Sequence, residues 1–232
     1  MSDYHLPGEP PVPLILRRSA RARRISLRIS SLDGRVTLTL PGRVPEAEAL
    51  AFAEEKADWI RSHLANHAGL APVRIGGGVP IEGQEVEILP GQGRAVRREE
   101  GRVWVPPNGA PKRLERYLRE LARDRLVAAS DFYAERLGRS YSRISLRDTR
   151  SRWGSCSAQG ALMYSWRLIL APPAVLRYVA AHEVAHLAEM NHSQAFWDQV
   201  TRIHGPYEDA RRWLRTEGNA LHRYRFDVAD DA

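Results

Sequence analysis

His182-Glu183-Val184-Ala185-His186, inside an apolar run from Val175 to Met190, constrains this 232-residue chain more than any other stretch. Residues four apart on a helix stack on one face, so both imidazoles can reach one ion. Glu183 points elsewhere on the helix but can reach a water held in an open coordination position, the arrangement that splits an amide with metal-activated water. His192 lies just past the expected end of the helix, where a returning chain closes a three-nitrogen site. Three neutral imidazoles with a fourth position left for water describe a catalytic site for one Zn²⁺. A closed structural site would not need Glu183.

Other features bound the setting. The chain has no apolar run of about 18 residues, so no membrane span is expected. Its first residues, Met1 to Pro13, are polar and Pro-rich and lack a signal peptide's basic start and apolar core. Cys156 is the only cysteine, which excludes an intrachain disulfide. The expected location is the cytoplasm. A net charge of +7 and a pI near 10.0 raise nucleic acid as a partner. That charge is almost wholly arginine, with Lys56 and Lys112 the only lysines. Much of it is local, in Arg17, Arg18, Arg21, Arg23, Arg24 and Arg28. At this spacing the arginines either line one strand face and touch phosphates or are simply solvated.

Periodicity places the elements. Val12 to Arg18 and Ile25 to Ile29 read as strands, Asp33-Gly34 as a hairpin turn, and Arg35 to Leu40 as the return. Pro45 opens one helix to about His67, with Leu50, Phe52, Ala53, Ala57, Ile60 and Leu64 as its buried stripe. Its own histidine pair, His63 and His67, has no glutamate and no third ligand beside it, and its place in the last turn is explained by the helix dipole. Glu85 to Leu89, Ala95 to Arg97 and Arg102 to Val105 form a second β region. Gly76-Gly77-Gly78 lacks the lysine and hydroxyl of a phosphate loop and reads as a turn. Pro106 to Gly109 reads as a linker, so a boundary is expected near residue 110. A long helix from Pro111 to Gly138 follows, then strands Arg143 to Arg147 and Ala161 to Leu170, the metal helix from Pro172-Pro173, and two more helices divided by Gly205-Pro206.

The sequence His182-Glu183-Val184-Ala185-His186-Leu187, then Asn191-His192-Ser193, then Phe196-Trp197, resembles the YgjP-like family of metal-dependent peptidases, zincin-fold relatives of the SprT and WLM metallopeptidases. Arg152-Trp153-Gly154-Ser155-Cys156, Tyr178-Val179, the Arg-rich opening strands and the Trp59-Ile60 helix extend the likeness over nearly the whole chain. The resemblance implies a zincin fold and a metal site. The span from His182 to His192 equals the metzincin spacing, yet Glu189 stands at the metzincin glycine and Met190 is the last methionine, so true metzincin membership is rejected. Asn191 is the expected left-handed residue at the helix exit.

The expectation is therefore an α+β protein. Residues 1–110 form a β-rich part with one helix, and residues 111–232 a mostly helical zincin-like metallopeptidase domain with a small antiparallel sheet. His182, His186 and His192 bind zinc and Glu183 is the general base for a peptide or protein substrate. Arg152, Tyr178, His204 and Tyr207 are unranked candidates for the oxyanion donor, and Arg152 and Tyr178 are also candidates for outer-sphere support. Glu189 could supplement the metal or its surroundings, and Cys156, Trp153 and Trp197 read as packing residues. If Ala161 to Leu170 is an edge strand, a substrate backbone adds to it. The alternative is a DNA-associated maintenance protein whose basic N-terminal half delivers the site to nucleoprotein.

Overall fold

The computed structural model describes residues 4–30, 33–65 and 69–227, so expectations for Met1 to Asp3 and for His67 lie outside the described residues. The chain divides into two compact units, residues 1–70 and 71–232. It is an α+β protein.

In the first unit, alternating apolar residues build β1 (Tyr4–Leu6), β2 (Val12–Ser19), β3 (Ser26–Ile29) and β4 (Val36–Pro41). The order is β1-β2-β4-β3, with a parallel β2–β4 pair and antiparallel outer pairs. Leu6, Val12, Leu14, Val36, Leu38 and Leu40 face one core with Ala49, Ala53 and Ile60. The last three come from two helices, not the one expected, α1 (Glu46–Glu55) and α2 (Ala57–Ala65). The break is at Lys56, whose φ of −95° and ψ of 12° leave the helical region while its N–H still bonds Phe52. β1 falls inside what reads from sequence as an irregular start, because three residues are too short for periodicity to register.

The second unit opens on β5 (Ala71–Pro72) and continues with β6 (Gly78–Ile81), β7 (Gln84–Pro90), β8 (Arg97–Glu99) and β9 (Arg102–Val105). These last four form a sheet in the order β6-β7-β9-β8. Val79, Ile81, Val86, Ile88, Val103 and Val105 pack in one core with Leu114, Leu118 and Leu126 of α3 (Ala110–Leu137). That shared core is why the division falls after residue 70 and not near 110. Pro106 to Gly109 only turns the chain from sheet to helix.

Three short strands follow: β10 (Arg143–Arg147), β11 (Gly154–Cys156) and β12 (Ala161–Ser165). Their order is β10-β12-β11, parallel in the first pair and antiparallel in the second, so this sheet is mixed rather than antiparallel. β12 is its central strand, hydrogen-bonded on both sides, and cannot receive a substrate strand; the edge beside the site is β11. Residues 166–170 leave the strand as a 3₁₀ turn, all buried. Within it Arg167 is 8% exposed; its guanidinium donates to Asp148, Leu221 O and Tyr224 O, tying the C-terminal segment to the core.

α4 (Pro173–Ala185), α5 (Gln194–His204) and α6 (Glu208–Thr216) complete the helices. The sequence pattern carries the last helix to about Leu221, but it ends at Thr216, giving way to a 3₁₀ segment at 218–223 and then β13 (Tyr224–Arg225), which pairs with β5. Among the described residues no helix is long and apolar enough to cross a membrane.

Candidate metal centre

α4 starts on Pro173, tolerated where the N–H has no helical partner. Val175, Leu176, Val179, Ala180, Ala181, Val184 and Ala185 bury it. His182 and His186 share the remaining face. The helix stops by tightening: Leu187 N–H bonds Val184 O at 2.9 Å and Ala188 N–H bonds Ala185 O at 3.0 Å, each three residues back. The exit uses no left-handed asparagine, since Glu82 is the only non-glycine with positive φ among the described residues. Asn191 acts through its side chain instead. Its Oδ1 accepts the Ser193 N–H at 3.0 Å, turning the chain into α5, while Ser193 itself makes no side-chain cap.

This turn brings His192 back onto α4. His192 Nε2 lies 3.1 Å from His182 Nε2, and one nitrogen from each of His182, His186 and His192 falls within 4.8 Å of the others. Nitrogens bound to one tetrahedral zinc at about 2.0–2.1 Å stand about 3.3 Å apart, so the cluster is on the scale of a single ion. His186 Nδ1 is 2.9 Å from Glu189 O, an N–H donor to a carbonyl that leaves Nε2 as the free donor atom. Glu189 thus serves through its main chain. Burial, reinforced by the neighbouring histidines, holds the His182 imidazole down at about 3, and burial also lowers His186, so both stay neutral and able to donate a lone pair. His182 Nδ1 is buried without a hydrogen-bond partner. The donor set fits a borderline-soft dication.

Phe196 fixes the three rings. It is fully buried, stacks on His186 with centroids 4.5 Å apart, and meets His182 at 4.9 Å and His192 at 4.8 Å. The sequence motif contains Phe196 but nothing in its local pattern reveals this contact with all three histidines.

Glu183 is 6% exposed and packs under β11. A Cβ on Gly154 would stand 2.5 Å from Glu183 Oε1 and 2.6 Å from its Cγ, so only glycine lets strand and carboxylate approach this closely. A glycine inside a strand was the available signal. Burial pushes the Glu183 carboxyl up to about 8 against the pull of the Arg152 guanidinium. A cavity of about 450 Å³ joins these groups; Arg152, Gly154, Cys156, Glu183 and the three histidines line it.

The other sequence candidates separate cleanly. Arg152 lines the cavity, whereas Tyr178, His204 and Tyr207 are not among its walls. Tyr178 is buried edge-on to His182 at 5.9 Å and stacks on Tyr207, which stacks on Trp197, a packing column behind the first histidine. Trp153 stacks on His222. Cys156 reaches the cavity, but burial and Glu183 push its thiol up to about 11, and its Sγ–H donates to Ser157 O at 3.4 Å. It stands outside the metal cluster.

Residues 23–217 match the YgjP-like family, metallopeptidase domain. No curated protein matches the chain. Among solved structures, the metallopeptidase zymogen abylysin of Pyrococcus abyssi is similar at 17% identity and a TM-score of 0.36, over 40% of this chain and 95% of its own.

Proposed function

The chain belongs to the YgjP-like family of metal-dependent peptidases, and from that premise we propose that it is a cytoplasmic zinc hydrolase cleaving peptide bonds in a peptide or protein substrate. His182, His186 and His192 would hold one Zn²⁺, which when bound supplies an acidified water and polarises the scissile carbonyl. Glu183 takes the attacking water's proton and returns it to the leaving nitrogen. Its burial raises its basicity, and a neighbouring dication draws it back towards the ionised form at neutral pH. Gly154 lets the carboxylate sit directly beneath the β11 edge. Along that edge a substrate backbone can add as a strand, independent of its side chains. Arg152, the one full positive charge on the cavity wall near Glu183, supports the developing oxyanion or a substrate carboxylate.

The observation that carries this reading is the convergence of three imidazole nitrogens and a buried carboxylate on one cavity. Metal analysis of purified protein should find about one zinc per chain. Glu183→Gln should retain that zinc while peptide-library cleavage falls by about a thousandfold or more. Full cleavage by Glu183→Gln would sink the mechanism.

A further inference from the structure

Most of the first unit's described carboxylates sit on its helices: Glu46, Glu48, Glu54, Glu55 and Asp58 belong to α1 and α2, while Asp33 is paired with Arg35 and Glu9 lies in the turn between β1 and β2. From Pro10 to Leu32 the chain carries no acid at all. The strands put Leu14, Leu38 and Leu27 on the core side, so the alternate positions look outward. Register then builds two rows across the open face: Arg17, Thr39 and Ser26 in one, and Ile15, Thr37 and Arg28 in the next. Arg17 and Arg28 are both exposed. Two strand spacings and one pleat repeat put their Cα atoms about 12 Å apart.

Arg21, Arg23 and Arg24 extend the charge through the exposed β2–β3 crossover, beside the end of β4. None of these five is in an ion pair with a carboxylate among the described residues. Arg18 differs: it donates to Gly42 O, Val44 O and Glu46, so it is structural. Two of these arginines stand on the outer sheet face and three on the crossover at its end, while the helix carboxylates lie on the core side, so positive potential is concentrated on the outer face and the crossover.

We propose that this open sheet face binds duplex DNA through its phosphate backbone, without reading sequence. The arginine separation matches the roughly 12 Å major groove of B-form DNA, which is narrow in A-form RNA. Arginine and threonine are suited to phosphate oxygens. The two rows hold no aromatic side chain, so the face lacks the stacking platform that single strands require. The inference stands apart from the peptidase reading, because every residue it uses belongs to the first unit.

Fluorescence anisotropy of a labelled random duplex of about 24 base pairs, titrated with the full chain between about 50 and 200 mM salt, tests it. Binding should weaken steeply with salt. Arg17→Glu with Arg28→Glu should weaken binding at least about tenfold at the low-salt end and flatten the log–log salt slope by about two. The milder Arg17→Gln with Arg28→Gln should move both quantities in the same direction if the reversal variant unfolds. Lys112→Glu with Arg116→Glu, an equal charge change in the second unit, should leave both near wild type. Absence of binding at low salt, equal losses in the two charge-reversal variants, or equal affinity for duplex RNA, a single strand or anionic phospholipid vesicles would each overturn the assignment.

Discussion

In the first sheet β2 and β4 run parallel and each carries an antiparallel outer strand; in the second, β7 and β9 do the same with β6 and β8. Both sheets bury alternate aliphatic residues and both are followed by helix. They differ in what those helices and turns reach. The first sheet closes its core on two short helices of its own. The second lies against a 28-residue helix that also packs on α4, and its β6–β7 turn touches the start of α4. In that turn Glu82 and Gly83 have φ of 54° and 77°, the pair a two-residue hairpin needs. Their N–H groups bond Ile169 O and Leu170 O at 2.7 and 3.3 Å, and a Cβ on Gly83 would stand 2.8 Å from Pro172 Cα. One strand plan thus serves as a self-contained module in one unit and as the footing of a chemical site in the other.

The sharpest way to break this comparison is to excavate each core. Phe196→Ala should cost about 3–5 kcal/mol and reduce zinc content, because all three imidazoles lean on that ring. Leu38→Ala should cost about 2–5 kcal/mol with zinc content unchanged, since Leu38 belongs to the other buried cluster. Urea unfolding with metal analysis reads both; zinc lost in the second variant or kept in the first would erase the distinction. Next in size is Gly154→Ala. The new methyl must displace the Glu183 side chain, and a shift of about 1 Å should lower kcat about a hundredfold with zinc still bound. Unchanged turnover would mean that the close approach of strand to carboxylate has no part in the reaction.

The smallest effect tests the β6–β7 turn of the second sheet. Burial alone would raise Glu82, but hydrogen bonds from Arg125 and Arg98, at 2.7 and 2.6 Å, outweigh it and hold its carboxyl below the ordinary 4.5. A depressed carboxylate stabilises the fold above its unfolded value and loses that contribution as pH falls through its folded value, so the window lies below about pH 4.5. Glu82→Gln should lower Tm modestly at pH 7 and converge with wild type in that acid window. A Tm gap that persists into strong acid would assign the loss to packing rather than charge.

Much of this protein was legible in one dimension. The i, i+4 spacing of His182 and His186, the alternation of Val36 to Leu40, and the stop at Gly205-Pro206 are consequences of local backbone geometry, which the chain carries with it. What needed the tertiary structure was every partnership between distant segments. The pairing of β2 with β4 and of β12 with two neighbours, the common core that moved the boundary from 110 to 70, and the contact of Phe196 with three imidazoles all depend on hydrogen bonds and burial that no local period encodes. Gly154 marks the difference most clearly. The sequence names the glycine, but its reason is a carboxylate 29 positions away that occupies the space a side chain would fill.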